Sequence, residues 1–393
     1  MEQLRFKDDS GNHYPEWNKN KISEVGFLKT SSIDKLIHQN EEVLNLVNYM
    51  DVYKQKEVSN KTVKNMPLTS ANKNQISQNN LKKGDVLFTP SSETKRDIGH
   101  TLSIKEDIEN AVYSYHLMRF RPNIEFDPNF LNYVFKTKKS YFQLSQFAQG
   151  LTRYTLSIKN LNKLEFNYPN SIKEQEKIGN YFSNLDKIIN NKSRQLDLLE
   201  LYKKDMLYKI FNQKIRFKDD NGNDYPEWSE EKVEKYILIF PKTKNPASLG
   251  SDKGKFRFFT SSIDKEQYID ESLFNGDYII IGDGGVANFI HYIGEFNVSD
   301  HCWVANFRNM NNGFVKNYFE YKKKYINDQL FQGTGLKNLS RKLFLNFKIP
   351  FCKIDEQDKI ANTFFKIDSD LLNLRDSLKS MNNLKKDMLE KMF

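Results

Sequence analysis

The sequence predicts an α+β protein in which two pseudo-symmetric mixed α/β domains are separated by two long antiparallel coiled-coil helices. Two internal repeats and one periodicity carry that prediction. The segment 171–211 recurs without a gap as 353–393: EQEKIGNYFSNLDKI (Glu174 to Ile188) aligns with EQDKIANTFFKIDSD, and KKDMLYKIF (Lys203 to Phe211) with KKDMLEKMF (Lys385 to Phe393). A shorter segment, LRFKDDSGNHYPEW (Leu4 to Trp17), recurs as IRFKDDNGNDYPEW (Ile215 to Trp228), directly after the first long repeat ends. Within the long repeat, apolar residues alternate at spacings of four and three, the mark of a heptad seam.

Taken in order, the chain divides into an N-terminal domain (1–170), a spacer helix (171–213), a second domain (214–352) and a second spacer helix (353–393). The RFKDD segments open each domain. Asp8, Asp9, Ser10, Gly11 and Asn12, like 219–223, are turn formers, and Tyr14-Pro15 leads on as extended chain. Phe6, Tyr14 and Trp17 read as packing residues. The interiors of the two domains, 18–170 and 229–351, share only islands. TSSIDK at Thr30 to Lys35 recurs at Thr260 to Lys265, and a Gly84-Asp85 turn feeding Val86, Leu87 and Phe88 recurs as Gly276-Asp277 before Tyr278, Ile279 and Ile280. Gln149-Gly150 before Leu156-Ser157 matches Gln332-Gly333 before Leu339-Ser340. A Gly-Asp turn before a short apolar run reads as a turn into a buried strand. Strand-like pieces (112–120, 289–293, 303–307) interleave with helix-like ones (128–147, 315–331), so each domain mixes α and β.

The first seam runs through Ile178, Phe182, Leu185, Ile189, Leu196, Leu199, Met206 and Ile210. The second runs through Ile360, Phe364, Ile367, Leu371, Leu374, Leu378, Met381, Met388 and Met392, with Lys203 and Lys385 at one matching seam position. Each predicts a helix of about 38 residues, roughly 55 Å long at 1.5 Å per residue. In the paired seam Leu185, Ile189, Leu196 and Leu199 face Ile367, Leu371, Leu378 and Met381. Because each helix must deliver its chain to an equivalent RFKDD segment, Phe393 is expected beside Leu4, which closes the two half-units into a ring.

Composition narrows the function. Sixty Lys and Arg against fifty-one Asp and Glu give a net charge of +9, which favours a polyanionic partner. Two cysteines, Cys302 and Cys352, form neither a framework nor a CxxC pair, which fits a reducing, cytoplasmic setting. The apolar runs are too short to span a bilayer and no signal peptide is expected. The six histidines (His13, His38, His100, His116, His291, His301) show no metal-ligand spacing, and His116 and His301 read as satisfied core residues of strands. Asp127-Pro128-Asn129-Phe130 reads as a helix start with proline near the first position. Gly282-x-Gly284 lacks the continuation of a phosphate loop. No catalytic constellation emerges.

The loops after the buried strands, TPSSETKRDIGHT (Thr89 to Thr101) and GDGGVAN (Gly282 to Asn288), hold the Ser, Thr, Gly and basic residues that groove readers use. The EQEKI and EQDKI helix starts, the two dissimilar domains in duplicate, the Gly-Asp turns and the QG…LS segments together resemble the specificity (S) subunit of type I restriction–modification enzymes, over essentially the whole chain. That resemblance implies two target-recognition domains, each reading one half of a split, asymmetric site on double-stranded DNA. It also implies a non-catalytic chain with no cofactor of its own, docked to two methyltransferase (M) subunits and to restriction (R) subunits. S-adenosylmethionine, ATP and Mg are then expected on those partners, and no membrane is involved. Candidate DNA contacts are Ser91, Ser92, Lys95, Arg96, Arg153 and Tyr154 in the first domain, and Asp283, Asn288, Lys337, Asn338 and Arg341 in the second. Half-sites on one face of B-DNA lie roughly 34–36 Å apart, a distance that helices of this length can set. The alternative is a two-headed scaffold whose domains bind proteins and whose coiled coil docks into a larger assembly.

Overall fold

The computed structural model describes residues 4–262 and 265–393. Ile263 and Asp264 of the second TSSIDK island lie outside the described residues. The chain forms two compact units: the chain up to Lys192 together with Leu378–Phe393, and Ser193–Ser377.

In the first unit, a four-stranded sheet has the order Gly26–Thr30, Met118–Pro122, Val86–Phe88, Thr101–Ser103, and a three-stranded sheet the order Leu68–Ala71, Glu42–Val47, Ala111–Tyr113. Val86, Leu87 and Phe88 have no exposed surface, as a strand packed on both faces requires. The Gly84-Asp85 turn precedes them, with Gly84 at φ +88°. Asp85 closes that turn by accepting from Lys82 N at 2.7 Å and holds Arg121 through two 2.7 Å bonds.

In the second unit, one six-stranded sheet runs Ile237–Ile239, Cys302–Phe307, Phe274–Gly282, Asn288–Val298, Phe256–Phe259, Gln267–Ile269. Here Gly276-Asp277 is not a turn. It lies inside the strand Phe274–Gly282, with Gly276 directly opposite Gly294, because the strand runs on through it to pair with Asn288–Val298. Two further expectations are corrected. The helix-like stretches each break in two: Pro128–Val134 and Lys138–Phe147, where Thr137 caps the new helix by accepting from Ser140 N, then Asn312–Tyr321 and Lys323–Gln329, which meet at Lys322 without a side-chain cap. His116 and His301 both sit in turns, half-buried and exposed respectively, rather than in strand cores. Asp127 does cap the helix that follows, accepting from Phe130 N at 2.8 Å, and Asn311 does the same for Phe314 N at 3.0 Å.

The long helices span Ile172–Phe211 and Ile354–Met392, 40 and 39 residues. Every seam residue named above is buried or half-buried, and off the seam burial is concentrated at the Glu-Gln start of each helix and at Gly179, Leu207 and Ala361. In the first unit Leu185 is buried and Ile189, Leu378 and Met381 are half-buried; in the second, Leu196 and Leu199 pack against the cluster that contains Ile367 and Leu371. The seam lysines have a shared purpose. Lys385 pairs with Asp186 at 2.5 Å in the first unit, and Lys203 with Asp368 at 2.6 Å in the second. With Phe182 meeting the Phe393 ring at 6.0 Å in the first unit and Glu200 bonded to Arg375 at 2.6 Å in the second, these bridges show that within each unit the segments run antiparallel. A single polar pair in an apolar seam fixes register.

The EQ-x-K-I motif explains why both repeats exist. Glu174 is fully buried and accepts from Arg5 Nε and Nη2 at 3.0 and 2.9 Å and from Trp17 Nε1 at 3.2 Å. Glu356 accepts from Arg216 at 3.2 and 3.0 Å and from Trp228 at 2.9 Å. Gln175 donates to Pro169 O and accepts from Asp127 N; Gln357 donates to Cys352 O and accepts from Asn311 N. Lys177 and Lys359 each hold the RFKDD turn through a backbone carbonyl and an aspartate, Asp9 or Asp220. One helical turn thus fastens the opening hairpin, the exit strand and the inner helix of its domain. At the C-terminus, Leu4 N donates to Lys391 O at 2.8 Å and Trp17 meets the Phe393 ring at 5.9 Å. The matching junction has Ile215 N on Lys209 O at 3.3 Å and Trp228 on Phe211 at 6.3 Å.

Candidate nucleic-acid interface

In each domain the loop after the buried strand is tied to the QG…LS segment before the long helix. In the first, Ser91–Ser92 pairs antiparallel with Tyr154–Thr155, and Leu156 N donates to Pro90 O at 2.7 Å. Gln149 and Thr155 exchange backbone bonds of 2.9 and 2.8 Å, closing a tight loop. Gly150 sits there at φ +131°, where a Cβ would lie 2.0 Å from Arg153 O. Gly333, at φ +140°, meets Leu336 O in the same way at 2.8 Å, so the glycine of each QG pair is set by its loop. The serine of each LS pair caps the next helix: Ser157 accepts from Asn160 N at 3.2 Å and Ser340 from Leu343 N at 3.5 Å.

This construction brings five of the six first-domain candidates into contact with one another or their strand. Arg153 Nη2 donates to Ser91 Oγ at 3.1 Å, Lys95 lies 5.5 Å from the Tyr154 ring, and Ser92 is buried in the strand pair. Arg96 is exposed beside them on the short turn Lys95–Asp97. Sequence reasoning missed the aromatic support of this loop. Tyr49 donates to Ser91 O at 2.9 Å, Tyr53 donates to Asp97 at 3.1 Å, and His100 reaches Asp97 at 2.7 Å. The Asp97 carboxylate holds the Tyr53 hydroxyl above its ordinary pKa. Nothing in the spacing of Tyr49 and Tyr53 links them to a loop forty residues away.

In the second domain Leu339 N donates to Asp283 O at 2.9 Å, Gly285 N to Lys337 O at 2.8 Å, and Gly284 bridges Asn338. Asn288 starts the strand opposite Gly282, and Arg341 is the exposed first residue of the helix Arg341–Asn346. Lys337 and Asn338 are exposed. Asp283 differs from the others: it is buried, its Oδ2 is taken by Lys242 and by Trp303 Nε1 at 3.1 Å, and His301 Nδ1 lies 3.6 Å from Oδ1. Its carboxylate braces the loop from within. A groove of about 510 Å³ lies beside it.

The first unit also holds a cleft of about 750 Å³ whose lining includes Lys54, Lys105, Lys136 and Lys385. Burial pushes the Lys136 amine down to about 7, and it donates to Gln55 and, at 3.1 Å, to Asn132. Cys302 and Cys352 are free and buried, and burial pushes the Cys302 thiol up to about 12, so neither is a reactive thiolate. Among the described residues no cluster of His, Cys, Asp or Glu could hold a metal ion, and no helix is long and apolar enough to cross a membrane.

Two equivalent platforms with identical fastenings and different side chains define a class: a duplicated recognition protein whose frame is kept and whose contact surface is varied. The chain matches the type I restriction modification DNA specificity domain family twice, over residues 14–201 and 209–379, and belongs to that family. A protein of Methanocaldococcus jannaschii assigned as the MjaX type I restriction enzyme specificity subunit is 25% identical over 319 residues, 74% of this chain and 73% of that one. Among solved structures, the type I restriction–modification S subunit from M. genitalium superposes with a TM-score of 0.69 at 17% identity, covering 100% of this chain and 99% of the other. A chain from a structure of type I complex assembly and conformational transition gives 0.53 at 14% identity, covering 96% and 97%.

Proposed function

We propose that this chain is the non-catalytic DNA specificity subunit of a type I restriction–modification complex, reading a split, asymmetric site with one half-site per domain. The observation that supports this most is the pairing of identical Glu–Arg–Trp fastenings with divergent loop tips. The basic excess supplies sequence-independent affinity through phosphate contacts, and the loops supply selection among bases. Ser91, Lys95, Arg96, Arg153 and Tyr154, with Asn288, Lys337, Asn338 and Arg341, are the contacts on which this reading depends. Two M subunits carrying S-adenosylmethionine, and R subunits using ATP and Mg, complete the assembly.

The test is the adenine methylome of a cell carrying this gene with its methyltransferase gene. The expected result is one bipartite motif, methylated only when both genes are present. Retention on mixed-sequence DNA that does not weaken with salt, and a methylome that does not change, would favour the protein-binding scaffold instead.

A further inference from the structure

The two loop platforms share their backbone bonds, so their side chains can be compared position by position. Leu156 N on Pro90 O corresponds to Leu339 N on Asp283 O. The pairing of Thr155 with Ser91 corresponds to that of Asn338 with Gly284. Counting back from Leu156 and Leu339, Arg153 occupies the place of Leu336. In the first domain that place holds a guanidinium, 3.1 Å from Ser91 Oγ. In the second it holds a leucine that is 71% exposed, and Val286 on the facing loop is 63% exposed. Both line the 510 Å³ groove, with Asn288 and Lys323 among its polar lining. Gly285 also lines the groove, and a Cβ there would meet nothing within 4 Å.

Two branched apolar side chains held in water over an open groove gain nothing in the free protein. They contribute when an apolar group covers them. Base pairs present one apolar group to the major groove, the C5 methyl of thymine, whereas the guanidinium in the first domain suits the O6 and N7 of guanine. We infer that the second domain reads an A·T pair by packing the thymine methyl against Leu336 and Val286. This rests on the reading of the chain as a DNA specificity subunit and names one base pair of its site.

The experiment uses the full chain with its methyltransferase subunits and a duplex carrying the motif found by methylome sequencing. Each thymine is replaced in turn by deoxyuridine, which removes only the methyl. At one thymine the replacement is expected to weaken binding about fourfold, the equivalent of about 0.8 kcal/mol for one buried methyl-sized group. In Leu336→Ala, whose substituted side chain is mostly in solvent and so leaves the fold intact, thymine and deoxyuridine at that position should bind alike. Equal binding of deoxyuridine at every position, or a thymine preference that survives in Leu336→Ala, overturns the inference. Absence of any sequence-dependent binding overturns the broader reading and this one with it.

Discussion

Glu356 is the most informative residue to perturb, because three donors converge on a carboxylate with no exposed surface. Arg216 is itself fixed, with Nη2 on Pro226 O at 2.7 Å and only 17% of its side chain exposed. Glu356→Ala leaves that guanidinium nearly buried with only the exposed Glu227 carboxylate, 3.3 Å from Nη1, as counter-charge. Loss of one partner from a buried pair costs about 3–5 kcal/mol, and the water that reaches Arg216 argues for the lower end, about 3 kcal/mol. Glu356→Gln keeps an acceptor for the Trp228 indole but not the charge, so about half of that loss is expected. The readout is hydrogen exchange across 215–228, where a 3 kcal/mol opening corresponds to a rate increase of about 100-fold. In an Arg216→Met background the Glu356→Gln change should cost less, with a coupling of about 1–3 kcal/mol. Exchange rates in 215–228 within threefold of wild type, or additive single and double variants, would refute the idea that this carboxylate fastens the hairpin to the helix.

Leu196→Asp places a charge against the Ile367 and Leu371 cluster and should cost about 2–3 kcal/mol, read as a lower urea midpoint; an unchanged midpoint removes Leu196 from the seam. Gly179→Ala brings a Cβ within 2.6 Å of Phe130 N and 2.7 Å of Asn129 Cβ, and should destabilise the first unit by about 1–2 kcal/mol. Asn129→Gly should recover part of it, because the second half naturally sets Gly313 against Ala361; calorimetry of the single and double variants decides. The Lys136 amine, at about 7 against an ordinary value of 10.5, is neutral in the folded chain and protonated in the unfolded one between those pH values. Its contribution to stability therefore falls as pH drops from 10.5 to 7, with a slope of up to about 1.4 kcal/mol per pH unit. Lys136→Met should accordingly be more stable than wild type at pH 7, with the gap closing towards pH 10, as urea titrations would show. Arg96→Ala should change preference within the first half-site by about 1–3 kcal/mol if its exposed fork meets a base edge, while a uniform loss with a shallower salt dependence would assign it to phosphate.

The parts of the fold that were legible in the sequence are those under local or repeated constraint. A seam of four-and-three spacing can only bury one helical stripe, so Ile178 through Ile210 could be placed without coordinates. The EQ-x-K-I and RFKDD repeats announced that two segments far apart in sequence share a task, though not that Glu174 and Arg5 are the pair that performs it. Asp283 is a candidate because it lies in the GDGGVAN loop after the buried strand; its engagement with Lys242 and Trp303 depends on a sheet whose strand order has no sequence signature. For the same reason Tyr49 and Tyr53 are not singled out, and His100 is read only for metal spacing. Val286 and Leu336 were passed over because a search for hydrogen-bonding side chains does not look for apolar ones in a loop.

The junctions show what the duplication preserves. Leu4 N on Lys391 O and Ile215 N on Lys209 O are the same hydrogen bond, made once between distant parts of the chain and once across a three-residue turn, 212–214. The turn adds bonds of its own, Asn212 Nδ2 to the Tyr321 hydroxyl at 2.7 Å and Lys214 Nζ to the Tyr208 hydroxyl at 3.1 Å, but the packing at its base is shared, since Trp17 and Phe393 meet as Trp228 and Phe211 do. Joining Phe393 to the N-terminus through a short linker and opening the chain at 212–214 exchanges one junction for the other. Both hairpins keep their glutamates, Glu174 and Glu356, and the fastening energy stays where it was. The permuted chain should melt within a few degrees of the parent and direct methylation to the same motif. A permuted chain that is insoluble, or that folds and methylates nothing with its partners, would mean that the junction depends on the turn's own contacts, Asn212 with Tyr321 and Lys214 with Tyr208.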